Sequence, residues 1–80
     1  MPYVIIRTLK KFATPEFKAK LIAKVTEAVA DVEVEFLGAD KEKLLPYIWC
    51  IVEEVDSENW GVGGVPVTPE MLKEALGISE

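Results

Sequence analysis

Val32-Glu33-Val34-Glu35-Phe36 alternates apolar and acidic residues with a period of two, the pattern of a half-buried strand. Upstream, Phe17, Leu21, Val25, Ala28, Val29 and Val32 recur at helical spacing, and no turn residue separates the two patterns. The five residues are therefore read as the last turns of one long helix. Its start is written in Thr14-Pro15-Glu16: an N-cap hydroxyl, proline at the first helical position and an acid in the first turn. Gly38 supplies the C-terminal stop.

Outward from this helix, each flank reads as a strand. Pro2 to Leu9 (PYVIIRTL) is β-branched and aromatic, with proline at the first position, where a strand tolerates it. Tyr47 to Val52 (YIWCIV) is almost unbroken hydrophobic sequence closed by Glu53-Glu54-Val55, which suits a strand buried on both faces in a parallel pair. Strand, long helix, strand is a right-handed βαβ crossover. The polar segment Asp40 to Lys43 lies in a long connection between helix and second strand. Asn59-Trp60-Gly61-Val62-Gly63-Gly64 is turn-rich and reverses the chain into a short hairpin. Thr68-Pro69-Glu70 repeats the earlier helix start, and Met71, Leu72, Ala75 and Leu76 give a short amphipathic helix ending near Gly77. The expected class is α+β, residues 1–80 forming one domain.

Composition bounds what such a domain can do. Half of the 80 residues are hydrophobic, whereas a lone chain of this size buries only about 65% of the surface its unfolded form exposes. A two-stranded sheet under one helix also leaves its second face bare, so some apolar surface is expected to be covered by other copies of the chain. Fourteen acids against nine bases give a net charge of -5, which argues against nucleic acid or an anionic membrane as partner. The single Cys50 forms no internal disulfide, consistent with a reducing cytoplasm. No apolar run reaches the roughly 18 residues of a membrane span, and the N-terminal sequence lacks signal-peptide features. Histidine is absent, which removes the usual general base, the usual zinc ligand and the Ser-His and Cys-His nucleophile systems. Neither a metal nor a cofactor is expected.

Pro2 is then the most informative residue. Initiator methionine is normally removed when the second residue is small, and proline qualifies. Removal of Met1 exposes a secondary amine at the tip of an apolar strand. An ordinary α-amino group titrates at about 7.7–8.0. Apolar neighbours disfavour the ammonium and lower that value, leaving neutral base at physiological pH. Such a base takes a proton from one position and returns it to another, which is tautomerisation. Read blandly, the same proline merely starts a strand.

The pieces together resemble the 4-oxalocrotonate tautomerase family. The resemblance rests on Met1-Pro2 opening an apolar strand and on the helix segment Lys20 to Val29 (KLIAKVTEAV). It rests further on Ile51-Val52-Glu53-Glu54-Val55 and on Glu58-Asn59-Trp60-Gly61-Val62-Gly63-Gly64, covering roughly residues 2–67. It implies a βαβ fold with a small hairpin, assembled as a homohexamer or related ring, and a cofactor-free isomerase acting on a small enol or keto acid. It implies that Pro2 is the catalytic base and that Trp60 shields it. Gly61, Gly63 and Gly64 would form the turn at the pocket rim.

Two departures bear on substrate. The family's best-studied members hold substrate carboxylates with arginines. The first position falls here in Lys10-Lys11-Phe12-Ala13, without arginine, and the second falls on Trp49. Lysine offers a point charge and tryptophan no fork, so dicarboxylate specificity is not implied. Lys10, Lys11 and Phe12 remain pocket candidates, as does Trp49, which is equally read as core or interface. Strand alternation turns Arg7, the only arginine, away from the Pro2 side and suggests an interface ion pair. Alternation also separates Glu53 from Glu54, so they cannot act as paired carboxylates. The expected function is a keto-enol tautomerase acting on a 2-hydroxy-dienoate or enol-pyruvate type of substrate. A lyase or hydratase on the same fold, or a non-catalytic assembly module, are the alternatives. Retention of Met1 would make the Pro2 nitrogen a tertiary amide and end the proline mechanism.

Overall fold

The computed structural model describes residues 2–78. Met1, on whose removal the proline mechanism depends, lies outside them. Strand β1 (Tyr3–Leu9) leads through a 3-10 turn (Lys10–Phe12) into helix α1 (Pro15–Leu37). Helix α2 (Lys41–Leu44) and a second 3-10 turn (Leu45–Tyr47) precede strand β2 (Trp49–Val55). After a third 3-10 turn (Ser57–Asn59), β3 (Gly61–Val62) and β4 (Val65–Pro66) form a hairpin, and helix α3 (Pro69–Leu76) follows. None of the helices among the described residues is long and apolar enough to cross a membrane.

The local signals act as read. The Thr14 hydroxyl accepts from the Phe17 amide at 3.1 Å, and Gly38 ends α1 with φ 68°. The alternating stretch at Val32–Phe36 continues the helix. An alternating pattern forms a strand only where a neighbouring strand is free to pair with it, and here the propagating helix reaches these residues first. The hairpin turns at Gly63 and Gly64, both at positive φ (61° and 86°), as a two-residue loop with matching twist requires.

β1 and β2 pair in parallel, with Tyr3 opposite Trp49, Ile5 opposite Ile51, Arg7 opposite Glu53 and Thr8 opposite Glu54. One face of this sheet carries Val4, Ile6, Cys50 and Val52 and meets α1. The other carries Tyr3, Ile5, Trp49 and Ile51, exposed by 57%, 44%, 59% and 36%. The expectation that the second strand is buried on both faces therefore fails within one chain, because the single helix layer covers one face alone. Trp49 is likewise no core residue of the chain. Its ring meets that of Tyr3 edge-on at 6.3 Å on the bare face. The strand also begins later than its hydrophobic run, since Leu45-Pro46-Tyr47 forms a 3-10 turn.

The fold is open. The radius of gyration is 16.1 Å, against about 11.6 Å for a compact 80-residue domain. Among the described residues the buried hydrophobics are Leu9, Ala13, Ala30, Ile48 and Val67, mostly small or medium in size. α1 contributes to the shape: its 23 residues run about 34 Å, and a seven-residue strand only about 23 Å. The helix therefore overhangs the sheet, which leaves Val32, Phe36 and Leu37 exposed. The long connection folds back beneath this overhang. Asp40 caps α2 through its Oδ1, and Lys41 bridges Glu27 at 3.2 Å and Asp31 at 2.9 Å on α1. Those two carboxylates hold the Lys41 ammonium above its ordinary value.

A second tie joins α1 to β2 through the Lys18–Glu54 ion pair. The hydrogen bond from Lys18 holds the Glu54 carboxyl below its ordinary value of 4.5. A carboxyl depressed by folding lends stability above its unfolded value and loses it as pH falls through the folded one. Glu54→Gln should accordingly melt below wild type at neutral pH, and the gap should close as pH falls below 4.5. Thermal melts across that range check it; a gap constant with pH would show the pair contributes nothing.

Candidate active site

The predicted site residues fall into two groups at opposite ends of β1. Pro2 and Trp49 stand at the N-terminal end. The Trp49 amide donates to the Pro2 carbonyl at 3.0 Å, so the entry of β2 fixes the main chain at Pro2. Pro2 itself is half-buried. Alternation places it on the same side as Val4 and Ile6, whereas the Trp49 ring lies on the bare face with Tyr3.

Lys10, Lys11, Phe12 and Trp60 gather at the other end, about 23 Å away along the strand. There the chain forms a cavity of about 490 Å³. Phe12 from the first 3-10 turn, Phe17 from the first turn of α1, Trp60 before the hairpin, Leu72 and Leu76 of α3 and Thr8 of β1 are among the residues that line it. Trp60 is held at both sides by backbone bonds: its amide donates to Ser57 at 3.1 Å and its carbonyl accepts from buried Val67 at 2.7 Å. Lys10 and Lys11 are exposed and sit in sequence between two lining residues, Leu9 and Phe12. Gly63 and Gly64 form the hairpin tip; from that hairpin Val62 reaches the lining.

One chain thus brings Trp60 and Phe12 to one cavity, with the two lysines in the turn between lining residues Leu9 and Phe12, and does not bring Pro2 to them. The other cations near the sheet are engaged. Arg7 pairs with Glu53 at 2.7 Å on the bare face, so its ion pair forms within the chain. Lys18 pairs with Glu54 on the opposite face, and the register confirms that the two adjacent glutamates diverge.

Sequence reasoning missed the pocket walls contributed by Phe17, Leu72, Leu76 and Thr8. In the sequence Phe17 belongs to the apolar stripe of a helix, and Leu72 and Leu76 to one face of a terminal helix. That these segments converge is a tertiary fact with no local marker.

Comparison with known proteins gives consistent results. A family model described as "Tautomerase enzyme" matches residues 2–70. A protein named probable tautomerase K2 from Dickeya dadantii is 40% identical over 68 residues, covering 85% of this chain and 90% of the relative. Probable tautomerase RSp0893 from Ralstonia nicotianae is 39% identical over 66 residues, covering 82% and 81%. The crystal structure of DmpI from Helicobacter pylori matches with a TM-score of 0.54 at 32% identity, over 91% of this chain and 97% of that one.

Proposed function

The chain belongs to the tautomerase family, and on that premise we propose that it is a keto-enol tautomerase whose general base is the amino-terminal nitrogen of Pro2. The observation that carries this reading is the position of Pro2. It stands half-buried at the head of an apolar strand, with its carbonyl fixed by the Trp49 amide, so an amine exposed there is directed by the sheet rather than left on a loose end. The neutral amine takes a proton from one end of an enol system, and the ammonium so formed returns a proton to carbon. The substrate is a small enol or keto acid of the 2-hydroxy-dienoate or enol-pyruvate type.

In this reading the working site is shared between chains. Pro2 and the Trp60 pocket are too far apart to meet in one chain, so the pocket end of one copy receives the proline end of another. The bare apolar sheet face and the open shape favour such assembly, which the reading takes as a homohexamer or related ring in the cytoplasm.

Intact-mass measurement coupled to a rate assay tests the proposal. Protein whose mass corresponds to a chain beginning at Pro2 should convert phenylenolpyruvate to its keto form. Protein that retains Met1 should be inert, since an amide nitrogen accepts no proton. Equal rates from the two forms would exclude Pro2 as the base.

A further inference from the structure

We infer that the Thr8 hydroxyl is the hydrogen-bond donor that holds the reacting oxygen of the substrate in the cavity at the end of β1. The inference rests on the tautomerase reading for the identity of that oxygen, and one arm of its test needs no turnover.

The cavity lining narrows the choice of donor. Among the described residues, every lining side chain except those of Thr8 and Trp60 is hydrocarbon alone. The Trp60 indole donates and accepts nothing, whereas the Thr8 hydroxyl does both. In a site so apolar, the few polar groups fix how a small molecule is oriented.

The hydroxyl is also left free by its neighbours. Alternation sets Thr8 on the same side of β1 as Pro2, Val4 and Ile6. Its partner in the register is Glu54, whose carboxylate is an acceptor on that same side. Lys18 takes that carboxylate instead. None of the side-chain hydrogen bonds among the described residues involves Thr8. Nor does any described residue carry a buried side-chain oxygen without a partner, so this half-buried residue keeps its hydroxyl within reach of a ligand. Valine would serve the strand as well and would carry no polar atom into the lining. What threonine adds at this position is the donor.

The reaction asks for such a group. When the Pro2 amine of another copy takes the enol O–H proton, the oxygen left behind carries negative charge. That charge persists until the ammonium delivers its proton to carbon and the carbonyl forms. The Thr8 O–H donates to this oxygen and keeps its own proton throughout. Its bond strengthens as the charge develops, so it speeds the reaction more than it tightens binding.

Two variants of one side chain read the hydroxyl. Thr8→Val keeps nearly the same shape without the donor, and Thr8→Ser keeps the donor without the methyl. In full-length protein verified to begin at Pro2, Thr8→Val should lower kcat for phenylenolpyruvate about tenfold or more. Its KM should rise no more than about threefold and its thermal melt should not fall. Thr8→Ser should stay within about threefold of wild type in kcat. The second arm titrates phenylpyruvate and 3-phenylpropionate calorimetrically, acids that differ only in a keto group against a methylene. Wild type should favour phenylpyruvate about threefold; Thr8→Val should lose that margin and Thr8→Ser should keep it. A Thr8→Val enzyme as fast as wild type, a Thr8→Ser enzyme as slow as Thr8→Val, or a margin absent in wild type or unchanged by Thr8→Val would each overturn the inference. Should Met1-retaining protein turn over as fast as the processed form while both arms follow this pattern, the Thr8 assignment stands and the proline reading falls. In a protein without turnover, the binding pattern alone would retain the donor and reject that reading.

Discussion

Pro2→Ala lowers the rate of phenylenolpyruvate ketonisation by about 100-fold or more in protein whose initiator methionine is verified as removed. The figure follows from the usual worth of a positioned general base, 10²–10⁴. Alanine also leaves a terminal amine, so the substitution tests the ring and its placement rather than the mere presence of nitrogen. A secondary amine in a five-membered ring keeps its lone pair in one direction, whereas the primary amine of alanine rotates. The fold should be indifferent, because the group that anchors this residue is its carbonyl, which accepts from Trp49 and is retained by alanine. The loss should therefore appear in kcat with little change in KM and with an unaltered thermal melt. A Pro2→Ala enzyme as fast as wild type would end the proposal. Retained rate with a lowered melting temperature would do so equally, by assigning the residue a structural role.

The second large effect concerns the bare sheet face. Ile51→Glu should dissociate the assembly proposed above. Ile51 is already 36% exposed in the chain and faces Tyr3, Ile5 and Trp49 away from α1, so the substitution costs a lone chain little. At an interface between copies it removes about 1.5–3 kcal/mol of apolar burial and strands a carboxylate without a partner, which costs several kcal/mol more. Together these weaken association by about 100-fold or more. Light scattering on the eluted protein should show the mass falling toward that of one chain. The melting temperature should fall with it and become strongly concentration-dependent, because the open single chain has little interior of its own. Ile51→Leu, which keeps the volume, should behave as wild type. An Ile51→Glu protein of unchanged assembled mass would place the contact between copies elsewhere.

The parts of the fold that were legible in the sequence are those with local causes. Thr14-Pro15 and Thr68-Pro69 cap helices through their own hydroxyls, and Gly38 and Gly77 end them because glycine enters the left-handed region without strain. The parallel pairing followed from two apolar runs either side of one long helix. Other parts were set from a distance. α2 has only four residues and is fixed by Lys41 reaching two acids on another helix, which no propensity encodes. The exposure of Trp49 depends on how many layers cover the sheet, a property of the whole arrangement. For the site, the sequence singled out Pro2 and Trp60 but could not show that a seven-residue strand keeps them apart.

That separation bears on how activity is distributed in a mixture of chains. If the proline end of one polypeptide completes the pocket end of another, each chain owns two halves of different sites and no whole one. A chain damaged at Pro2 still lends its neighbour a sound pocket, and a chain damaged at α3 still lends a sound amine. Two such forms, inert by themselves, would hold between them every group a working site requires. Function in this molecule then belongs to adjacencies rather than to individual polypeptides, and its inheritance through mixed assemblies follows the rules of complementation.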